Sequence, residues 1–442
     1  MLLLLNYFIN RDLGIDSNED LNSSNYYALL DQIEELAENE FEFRFDGIQV
    51  EWFDQRITTN SRLRQFYQEI TPYLFRLVLP QYLHNLLSNE LKRYRKNASI
   101  WVKITINDKV GYPIQLFADN NENPEVLERF VTMLYFLPSR DPIAQRLSRF
   151  FSWDDFEITT KEQIEQSINE NLNDVGPIHL NVYNVGQGSL SAICDGDDKP
   201  LIYYDLGGGF RWHRNTYPHT LTLHWDMVNT IIISHWDWDH LETARRNRFG
   251  EWAPYNGKNW IVPKQPIGPS YMAFAAHISA SGNLLVWPDN LRRIIFNDIE
   301  IIKCHGPHKN HSGLAIIVTS RDNEIDKTLH PGDAAYKFIY IRRRTHLNGN
   351  VATHHGANFD DDNAPVPITE NGCIAYSYGR PGYGHPKDDA VTAYENNGWG
   401  AIPNNRLDTF IAGHISIKRQ VPRRVHGNCG VNNCIICNLN FF

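Results

Sequence analysis

The chain has 442 residues, a length that predicts two to three domains rather than one compact core. Hydrophobic residues make up 42% and charged residues 21%, a balance that excludes a wholly disordered protein. A formal net charge of −10 argues against a protein that coats nucleic acid non-specifically, because that affinity comes from basic side chains facing phosphates. Any contact with nucleic acid therefore needs a local basic patch.

The first 175 residues are predicted to form a separate module, mixed and mainly helical. Residues 26–40 and 62–96 carry apolar side chains three and four positions apart, which is typical of amphipathic helices. Residues 41–53 and 99–117 alternate apolar and polar side chains, which favours strands. This part of the sequence contains no catalytic constellation, so we interpret it as an interaction or regulatory module for a protein partner.

The N-terminal sequence Met-Leu-Leu-Leu-Leu-Asn-Tyr-Phe-Ile-Asn has no positively charged start and is short for a signal peptide or a membrane span. We expect it to begin the first strand or helix of a cytoplasmic protein that has no membrane contact. Six cysteines in a chain of this length do not indicate a disulfide framework.

Residues 176–417 differ in pattern from the first 175 residues. They contain short β-branched apolar runs, which predict an α/β domain centred on sheets. Histidine is concentrated in the same part of the chain. Of the 18 histidines, only His84 precedes residue 179. Because histidine supplies metal ligands and acid–base groups near neutral pH, this asymmetry indicates that the chemistry lies after residue 176.

The strongest motif follows the apolar run Thr230–Ser234. Four ligand-type side chains fall within six residues there: His235, Asp237, Asp239 and His240. Such crowding of imidazoles and carboxylates is unfavourable unless a cation neutralises and orders it. The alternative is a solvated polar turn, which the two interleaved tryptophans disfavour, so the motif predicts a metal site.

This motif resembles the His-x-His-x-Asp-His signature of the metallo-β-lactamase fold, with Asp237 in place of the second histidine. The variant is similar to the metallo-hydrolase domain of ComEC-type DNA-uptake proteins. Further segments match that family in its order, so that the resemblance covers roughly residues 178–400. They are residues 184–188 (Asn-Val-Gly-Gln-Gly), 205–209 (Asp-Leu-Gly-Gly-Gly), 310–312 (Asn-His-Ser), 332–333 (Gly-Asp), 354–356 (His-His-Gly) and 383–386 (Tyr-Gly-His-Pro).

The resemblance implies a four-layer αββα metallo-β-lactamase-like sandwich with two divalent metal ions at one edge of its sheets. The resemblance implies that His235 and Asp237 hold the first ion and that Asp239 and His240 hold the second. It implies that Asp333 bridges the two ions. Oxygen ligands such as Asp237 shift the preference of the first site towards Mn²⁺ or Mg²⁺, although zinc also accepts carboxylates. Zn²⁺, Mn²⁺ and Mg²⁺ therefore all stay candidates.

Two further histidine ligands are implied, with alternatives at both positions. His354 is assigned to complete the second site, and its neighbour His355 competes for that role. His308 is assigned as the family's middle histidine, and His305 and His311 compete with it because all three precede the same apolar strand.

Asp239 and His385 are assigned as the catalytic residues. Glycines at 379, 382 and 384 precede His385, so backbone can approach a ligand closely there, and the imidazole could protonate a leaving oxygen or contact phosphate. Arg380 and Lys387 are assigned to substrate binding through phosphate. The alternatives are a buried turn histidine for His385 and ordinary surface charges for the two cations.

The C-terminal region 418–442 is predicted to be a basic tail that holds a further zinc ion. Four soft or borderline ligands lie within twelve residues, and a single tetrahedral zinc ion could bind them. They are His426, Cys429, Cys434 and Cys437. Free thiols in a solvated tail are the alternative.

Together these features predict a metal-dependent phosphodiester hydrolase, a nuclease that acts on DNA rather than RNA. The resemblance also allows a setting in anti-phage defence. Hydrolysis of a small ester or lactone at the same centre is one alternative. A non-catalytic regulatory protein with a structural metal is another, which the number of carboxylates disfavours.

Overall fold

The computed structural model groups the chain into two units. One unit comprises residues up to 156 together with residues 266–277, and the other comprises residues 157–265 and 278 onwards. The residues that the structure describes are 23–36, 39–56, 66–67, 69–91, 99–118, 126–218, 221–246, 254–320, 327–342, 345–359, 364–368, 372–379, 383–400, 406–408, 415–417 and 423–424.

The first unit contains a closed barrel of six antiparallel strands in the order β1-β2-β3-β5-β6-β4. Its interior is filled by aromatic and aliphatic side chains, among them Phe43, Phe45 and Phe75, which have no exposed surface. Its strands are β1 (Ser23–Glu35), β2 (Glu40–Gln49), β3 (Tyr73–Pro80), β4 (Trp101–Asn107), β5 (Tyr112–Ala118) and β6 (Leu127–Phe136).

This barrel differs from the mainly helical module that the sequence predicts. Strand β1 occupies most of the predicted helix 26–40, and β3 occupies the middle of the predicted helix 62–96. In β3 both Leu74 and Phe75 are buried, so apolar residues stand on both faces and imitate helical spacing. The strands predicted within 41–53 and 99–117 are confirmed as β2, β4 and β5.

Helices are short in the described part of the chain. No helix there combines the length and the apolarity that a membrane crossing requires. The helices are α1 (Val50–Arg56), α2 (Gln81–Leu91), α3 (Pro142–Phe150), α4 (Lys161–Leu172), α5 (Glu242–Arg246), α6 (Pro269–Ser281) and α7 (Asp388–Asn396).

A buried carboxylate in the first unit holds the start of α6. Asp46 in β2 has no exposed surface and accepts hydrogen bonds from the Ser270 backbone N–H (3.0 Å) and hydroxyl (2.7 Å). Gly268 permits this approach, because a Cβ there would lie 2.2 Å from Asp46 Oδ2. The side chain therefore caps the first turn of the helix from a different part of the sequence.

Replacing Asp46 with alanine is expected to lower the free energy of unfolding by about 2 kcal/mol, because it leaves the buried Ser270 N–H without its acceptor. Urea unfolding followed by tryptophan fluorescence measures the change. The control is Asp108→Ala, which removes an exposed carboxylate and is expected to shift stability by less than about 0.5 kcal/mol. Equal effects of the two substitutions would contradict the capping role.

The second unit is mixed α/β and contains two sheets. The first has the order β12-β11-β10-β9-β8-β7-β20-β21 and is parallel from β9 to β12. Its strands are β7 (His179–Val182), β8 (Leu190–Cys194), β9 (Pro200–Leu206), β10 (Thr230–Ile232), β11 (Asn259–Val262), β12 (Asn283–Val286), β20 (Ile415–Ile417) and β21 (Arg423–Arg424).

The second sheet runs in sequence order from β13 to β19 and is parallel from β16 onwards. Its strands are β13 (Arg293–Phe296), β14 (Ile299–Lys303), β15 (Leu314–Thr319), β16 (Lys327–His330), β17 (Leu347–Val351), β18 (Cys373–Tyr376) and β19 (Arg406–Asp408).

One apolar core joins the two sheets of this unit. Ile202 and Ile232 from the first sheet and Ile301 and Ile316 from the second belong to the same buried cluster, as do apolar residues of α4. A second cluster on the other face of the second sheet includes Tyr394 of α7. The mixed α/β class is confirmed, whereas the full four-layer sandwich stays a prediction, as do the functional roles assigned to 1–175, 176–417 and 418–442.

Candidate metal centre

The candidate site is assembled from the carboxyl ends of strands in both sheets of the second unit. Asp205 stands next to last in β9, and residues 234–240 follow β10. Residues 331–333 follow β16, 353–356 follow β17, and 377–379 and 383–387 follow β18. Since parallel strands end at the same edge of a sheet, residues distant in sequence meet here.

Asp333 lies at the middle of this cluster with only 3% of its surface exposed. Its Oδ2 is 3.6 Å from His235 Nε2 and 3.5 Å from His354 Nε2. Its Oδ1 is 3.1 Å from His240 Nε2 and 3.9 Å from His355 Nε2. One carboxylate thus faces four imidazoles, two on each oxygen, which is the placement expected of a bridging ligand.

Two overlapping groups of side chains could each hold a metal ion. One consists of His235, His240 and Asp333, the other of Asp239, His240 and His355, and the ligand atoms within each lie within 4.8 Å of one another. Metal–ligand bonds of about 2.0–2.2 Å accommodate such separations. His355 Nε2 lies 3.3 Å from Asp239 Oδ2, a separation that one ion bound to both atoms could also span.

Buried polar atoms in the cluster fit a bound cation. His235 Nε2 and Asp239 Oδ1 are buried and form no hydrogen bond to any described residue. Leaving such atoms without a partner is unfavourable in a folded protein, and a cation supplies the missing interaction. The residues present therefore fit the divalent ions that the sequence predicts.

The charges in the cluster are strongly coupled. Burial raises the pKa of Asp333, but His240 foremost and then His354, His235 and His355 outweigh it and hold that pKa well below its usual value. Burial likewise lowers the pKa of His240, yet Asp333 and Asp205 raise it well above the ordinary value. A proton on Nε2 of His240 would have to leave before that nitrogen could bind a cation.

His235 behaves in the opposite way. Burial, followed by the charge of His240, lowers its pKa well below the usual value, so its imidazole is neutral. A neutral imidazole keeps the lone pair that ligation requires.

Asp205 orients the ligand loop from behind. Its Oδ2 accepts a hydrogen bond from His240 Nδ1–H (2.7 Å) and one from the Ser234 hydroxyl (2.9 Å). Its Oδ1 accepts one from the Ser234 backbone N–H (2.7 Å). Because Nδ1 is engaged, the Nε2 of His240 faces Asp333. The 205–209 turn belongs to the family resemblance, but the sequence alone indicates no role for Asp205.

Asp237 lies outside both ligand groups, although the sequence predicts it at the first ion. Its Oδ1 accepts a hydrogen bond from the Trp238 backbone N–H (2.8 Å), and its Oδ2 lies 4.0 Å from Lys309 Nζ. Its carboxylate is buried, with 1% exposed. The assignment of Asp237 as a ligand thus stays a prediction, with a lysine beside it that the sequence did not indicate.

The three candidates for the middle histidine also lie outside the two groups. His311 accepts a hydrogen bond on Nδ1 from the Ala335 N–H (3.3 Å), two residues beyond Asp333. Burial and then the charge of His354 lower its pKa to about 4. The ring of His308 is 6.3 Å from that of His311, and His305 is exposed. His308 is exposed as His305 is, whereas His311 is half-buried.

Both histidines of the 353–356 turn approach the centre. His354 and His355 have φ angles of 47° and 57°, a left-handed conformation that is uncommon outside glycine and concentrates at functional sites. The Nδ1–H of His355 donates to the Ser377 carbonyl (2.8 Å), which directs Nε2 towards Asp239. His355, the alternative in the sequence prediction, belongs to a ligand group, and His354 faces the other oxygen of Asp333.

His385 stands beside these histidines. Its ring stacks at 6.4 Å from that of His355 and lies 5.8 Å from that of His354. Burial and then the charges of His354 and His355 lower its pKa well below the usual value, so the imidazole is neutral. Its Nδ1 forms no hydrogen bond to a described residue.

The remaining predicted residues have different outcomes. Lys387 is the residue directly before α7, and its backbone N–H donates to the Gly356 carbonyl (2.9 Å), so it lies next to the histidine turn. Arg380 lies outside the described residues. So do the predicted tail ligands, which are His426, Cys429, Cys434 and Cys437.

Buried His330 was not singled out in the sequence. Its Nδ1 accepts from the Gly332 N–H (3.2 Å), while its Nε2 meets the Ser191 hydroxyl (3.1 Å). Burial lowers its pKa to about 3, so it serves as a neutral support for the turn that carries Asp333. Only its place three residues before Asp333, at the end of a strand, could have indicated it.

Known proteins show only distant similarity to this chain. No family model and no curated protein matches the chain. A metallo-beta-lactamase fold protein, YhfI from Bacillus subtilis, is similar at 11% identity and a TM-score of 0.29 over 50% of this chain and 92% of its own. A metallo-beta-lactamase mutant from Cronobacter sakazakii is similar at 14% identity and a TM-score of 0.20 over 34% and 60%.

A protein of unknown function from Enterococcus faecalis is similar at 10% identity and a TM-score of 0.22, over 36% of this chain and 44% of its own. Likenesses this distant decide neither fold family nor function. The functional argument therefore rests on the geometry of the chain itself.

Proposed function

We propose that this protein is a metal-dependent hydrolase of the metallo-β-lactamase type that cleaves phosphodiesters, acting as a nuclease on DNA. The observation that carries the proposal is Asp333, whose two oxygens each face two imidazoles in a buried cluster. A carboxylate so placed is suited to bridge two cations. Six motifs in family order support the same assignment.

In this proposal His235, Asp237, Asp239, His240, Asp333 and a histidine of the 353–356 turn hold two divalent ions. Such ions, when bound, lower the pKa of a shared water and stabilise charge on phosphate oxygens. Asp205 and Ser377 fix the unliganded nitrogens of His240 and His355, so their ligand nitrogens are oriented in advance. The chain thus supplies a rigid set of nitrogen and carboxylate donors.

His385 is proposed to contact the leaving group or a phosphate oxygen. It is neutral and lies against His354 and His355, and its Nδ1 has no competing hydrogen bond to a described residue. A neutral imidazole so placed can donate a hydrogen bond to a developing oxyanion. Lys387 and Arg380 are proposed to bind phosphate near it.

The N-terminal unit is proposed to bind a protein partner, and the tail to hold a further zinc ion. Neither role takes part in the cleavage argued above. DNA is favoured over RNA through the sequence resemblance to DNA-uptake proteins.

The test is cleavage by the full chain, freed of metal and then given Mn²⁺, Mg²⁺ or Zn²⁺. Substrates are single- and double-stranded DNA, RNA, a chromogenic phosphodiester, a lactone and a β-lactam. We expect DNA and phosphodiester cleavage that chelation abolishes and that Asp239→Asn lowers by at least about 10³-fold, because a ligand and its charge are lost.

Asp289→Asn removes an exposed carboxylate that pairs with Lys264 and is expected to keep full activity. Absence of phosphodiester cleavage with every metal would refute the proposal. Lactone or β-lactam hydrolysis alone would assign the centre to the small-substrate class. Cleavage that survives Asp239→Asn would point to a different site or a contaminant.

A further inference from the structure

A buried lysine stands beside the ligand loop. The Lys309 side chain is only 8% exposed, and its Nζ lies 4.0 Å from Oδ2 of Asp237, which is 1% exposed. An ammonium is costly to bury, and a carboxylate partner offsets part of that cost. The family signature accounts for Asp237 but contains no lysine at this place.

The loop that carries Lys309 is fixed to the ligand loop by Gln265. The buried Gln265 amide donates from Nε2 to the Lys309 carbonyl (2.6 Å) and the Ser312 hydroxyl (2.9 Å), and its Oε1 accepts from the Trp236 N–H (3.1 Å). The Leu314 N–H also donates to the Ser234 carbonyl (2.7 Å). These bonds tie the backbones around Lys309 and Asp237 together, so the distance between the two charges follows from the fold.

Gly313 shows how tightly the two loops pack. A Cβ at this position would lie 2.1 Å from the Ser234 carbonyl oxygen and 3.1 Å from His235 Cβ. The loop of Lys309 therefore lies directly against the start of the ligand motif. A cation held by His235 and Asp237 would share this space with the ammonium.

We propose that Lys309 is a built-in cation that competes with the metal ion for Asp237, so that the two ions of the centre bind with unequal affinity. The inference rests on the proposed two-ion function. The group Asp239, His240 and His355 binds first and tightly in this proposal, since Lys309 faces Asp237 and not a member of this group. The site that includes Asp237 binds more weakly, because its ligand is already neutralised and a like charge lies beside it.

Three variants separate charge from shape. Lys309→Met keeps the length of the side chain and removes its charge, whereas Lys309→Arg keeps the charge. Lys264→Met removes an exposed lysine that pairs with Asp289 and serves as the control. Lys309→Gln is a second neutral variant, to be used if the methionine protein is unstable.

Isothermal titration calorimetry of the metal-free full chain with Mn²⁺ or Zn²⁺ gives both dissociation constants. We expect two unequal sites in the natural protein, in Lys309→Arg and in Lys264→Met. Lys309→Met is expected to tighten the weaker site by about tenfold or more, since it removes a repulsion and frees a buried carboxylate, and to leave the tighter site unchanged. In an Asp237→Asn background, the same substitution is expected to have a smaller effect, because only the repulsion between Lys309 and the metal ion is left to remove.

Three results would overturn the inference without touching the proposed function. They are two equal sites in the natural chain, no tightening in either neutral variant, and equal tightening in Lys309→Arg. Failure of every variant to bind metal would overturn the proposed function as well. A loss of activity in Lys309→Met with unchanged metal affinities would also contradict the inference about Lys309, because Lys309 would then act on the substrate.

Discussion

Replacing Asp333 with asparagine is expected to weaken the binding of both divalent ions and to lower the rate of metal-dependent cleavage by at least about 10³-fold. The carboxylate of Asp333 contacts imidazoles of both predicted sites, with Nε2 atoms at 3.1 to 3.9 Å from its oxygens. An amide supplies one neutral oxygen in place of two charged ones. Both sites therefore lose a ligand through a single substitution.

The same substitution separates ion binding from folding. A metal at about 100 times its dissociation constant stabilises the folded state by about 2.7 kcal/mol. That is about 5–10 °C in Tm for a unit of this size. We expect the natural chain to show such a rise when metal is added, and Asp333→Asn to show almost none. Calorimetric scans with and without metal measure the difference.

Asp289→Asn is the matched control, since it is the same chemical change at an exposed position of the same unit. It is expected to keep both the metal-induced rise in Tm and the cleavage rate. If Asp333→Asn retained the full rise, Asp333 would not be a ligand. If it lost the rise but kept full activity, the bound ions would be structural rather than catalytic.

The ligands could be predicted from the sequence where several ligand-type side chains lie close together along the chain. His235, Asp239 and His240 are close together because one loop after one strand carries them, and the cost of crowding such groups can be read from the residues alone. Asp333 and the 354–355 pair were accessible through family resemblance. Their convergence depends on parallel strands ending at one edge, which the apolar runs predicted only in outline.

The neighbours of the ligands were not predictable in the same way. Lys309 is more than 70 residues beyond Asp237, and Gln265 lies between them without a motif. Their meeting depends on the order of strands in two sheets and on the absence of a Cβ at Gly313. A sequence pattern records the spacing of residues within one loop, whereas these contacts join different loops.

The N-terminal barrel shows the limit of periodicity. Burial in its strand β3 alternates from Phe75 to Pro80, but Leu74 and Val78 on the other face are also apolar, so the sequence does not show the period of two. Charged residues there are buried as well. Glu42 has no exposed surface and pairs with Arg44 and Arg76 across β2 and β3. The strand pairing, in which Arg44 stands opposite Arg76, places both guanidinium groups beside Glu42 and so explains why a glutamate occupies a buried position.

Replacing Asp205 is expected to weaken metal binding without removing a ligand. Asp205→Asn is expected to raise the dissociation constant by about 10–100-fold, because the carboxylate that fixes the orientation of His240 becomes an amide. Compared with the natural chain, Asp205→Ala is expected to lower the free energy of unfolding of the metal-free protein by about 3 kcal/mol. The buried Ser234 N–H and hydroxyl lose their acceptor in this variant. Titration calorimetry and urea unfolding measure the two quantities separately.

The metal affinities and stabilities of the two variants show whether Asp205 orients His240 or serves only as a hydrogen-bond acceptor for Ser234. If Asp205 acts by orienting His240, asparagine weakens metal binding although it keeps an oxygen for Ser234 and therefore most of the stability. If Asp205 acts only as a structural acceptor, asparagine would bind metal as tightly as the natural chain, and the whole effect would appear in the unfolding of the alanine variant. The buried 2.7 Å contact between Asp205 Oδ2 and His240 Nδ1 favours the first result. A ligand loop held by a carboxylate from another strand keeps its geometry before the ion arrives, and so binds it at a lower entropic cost.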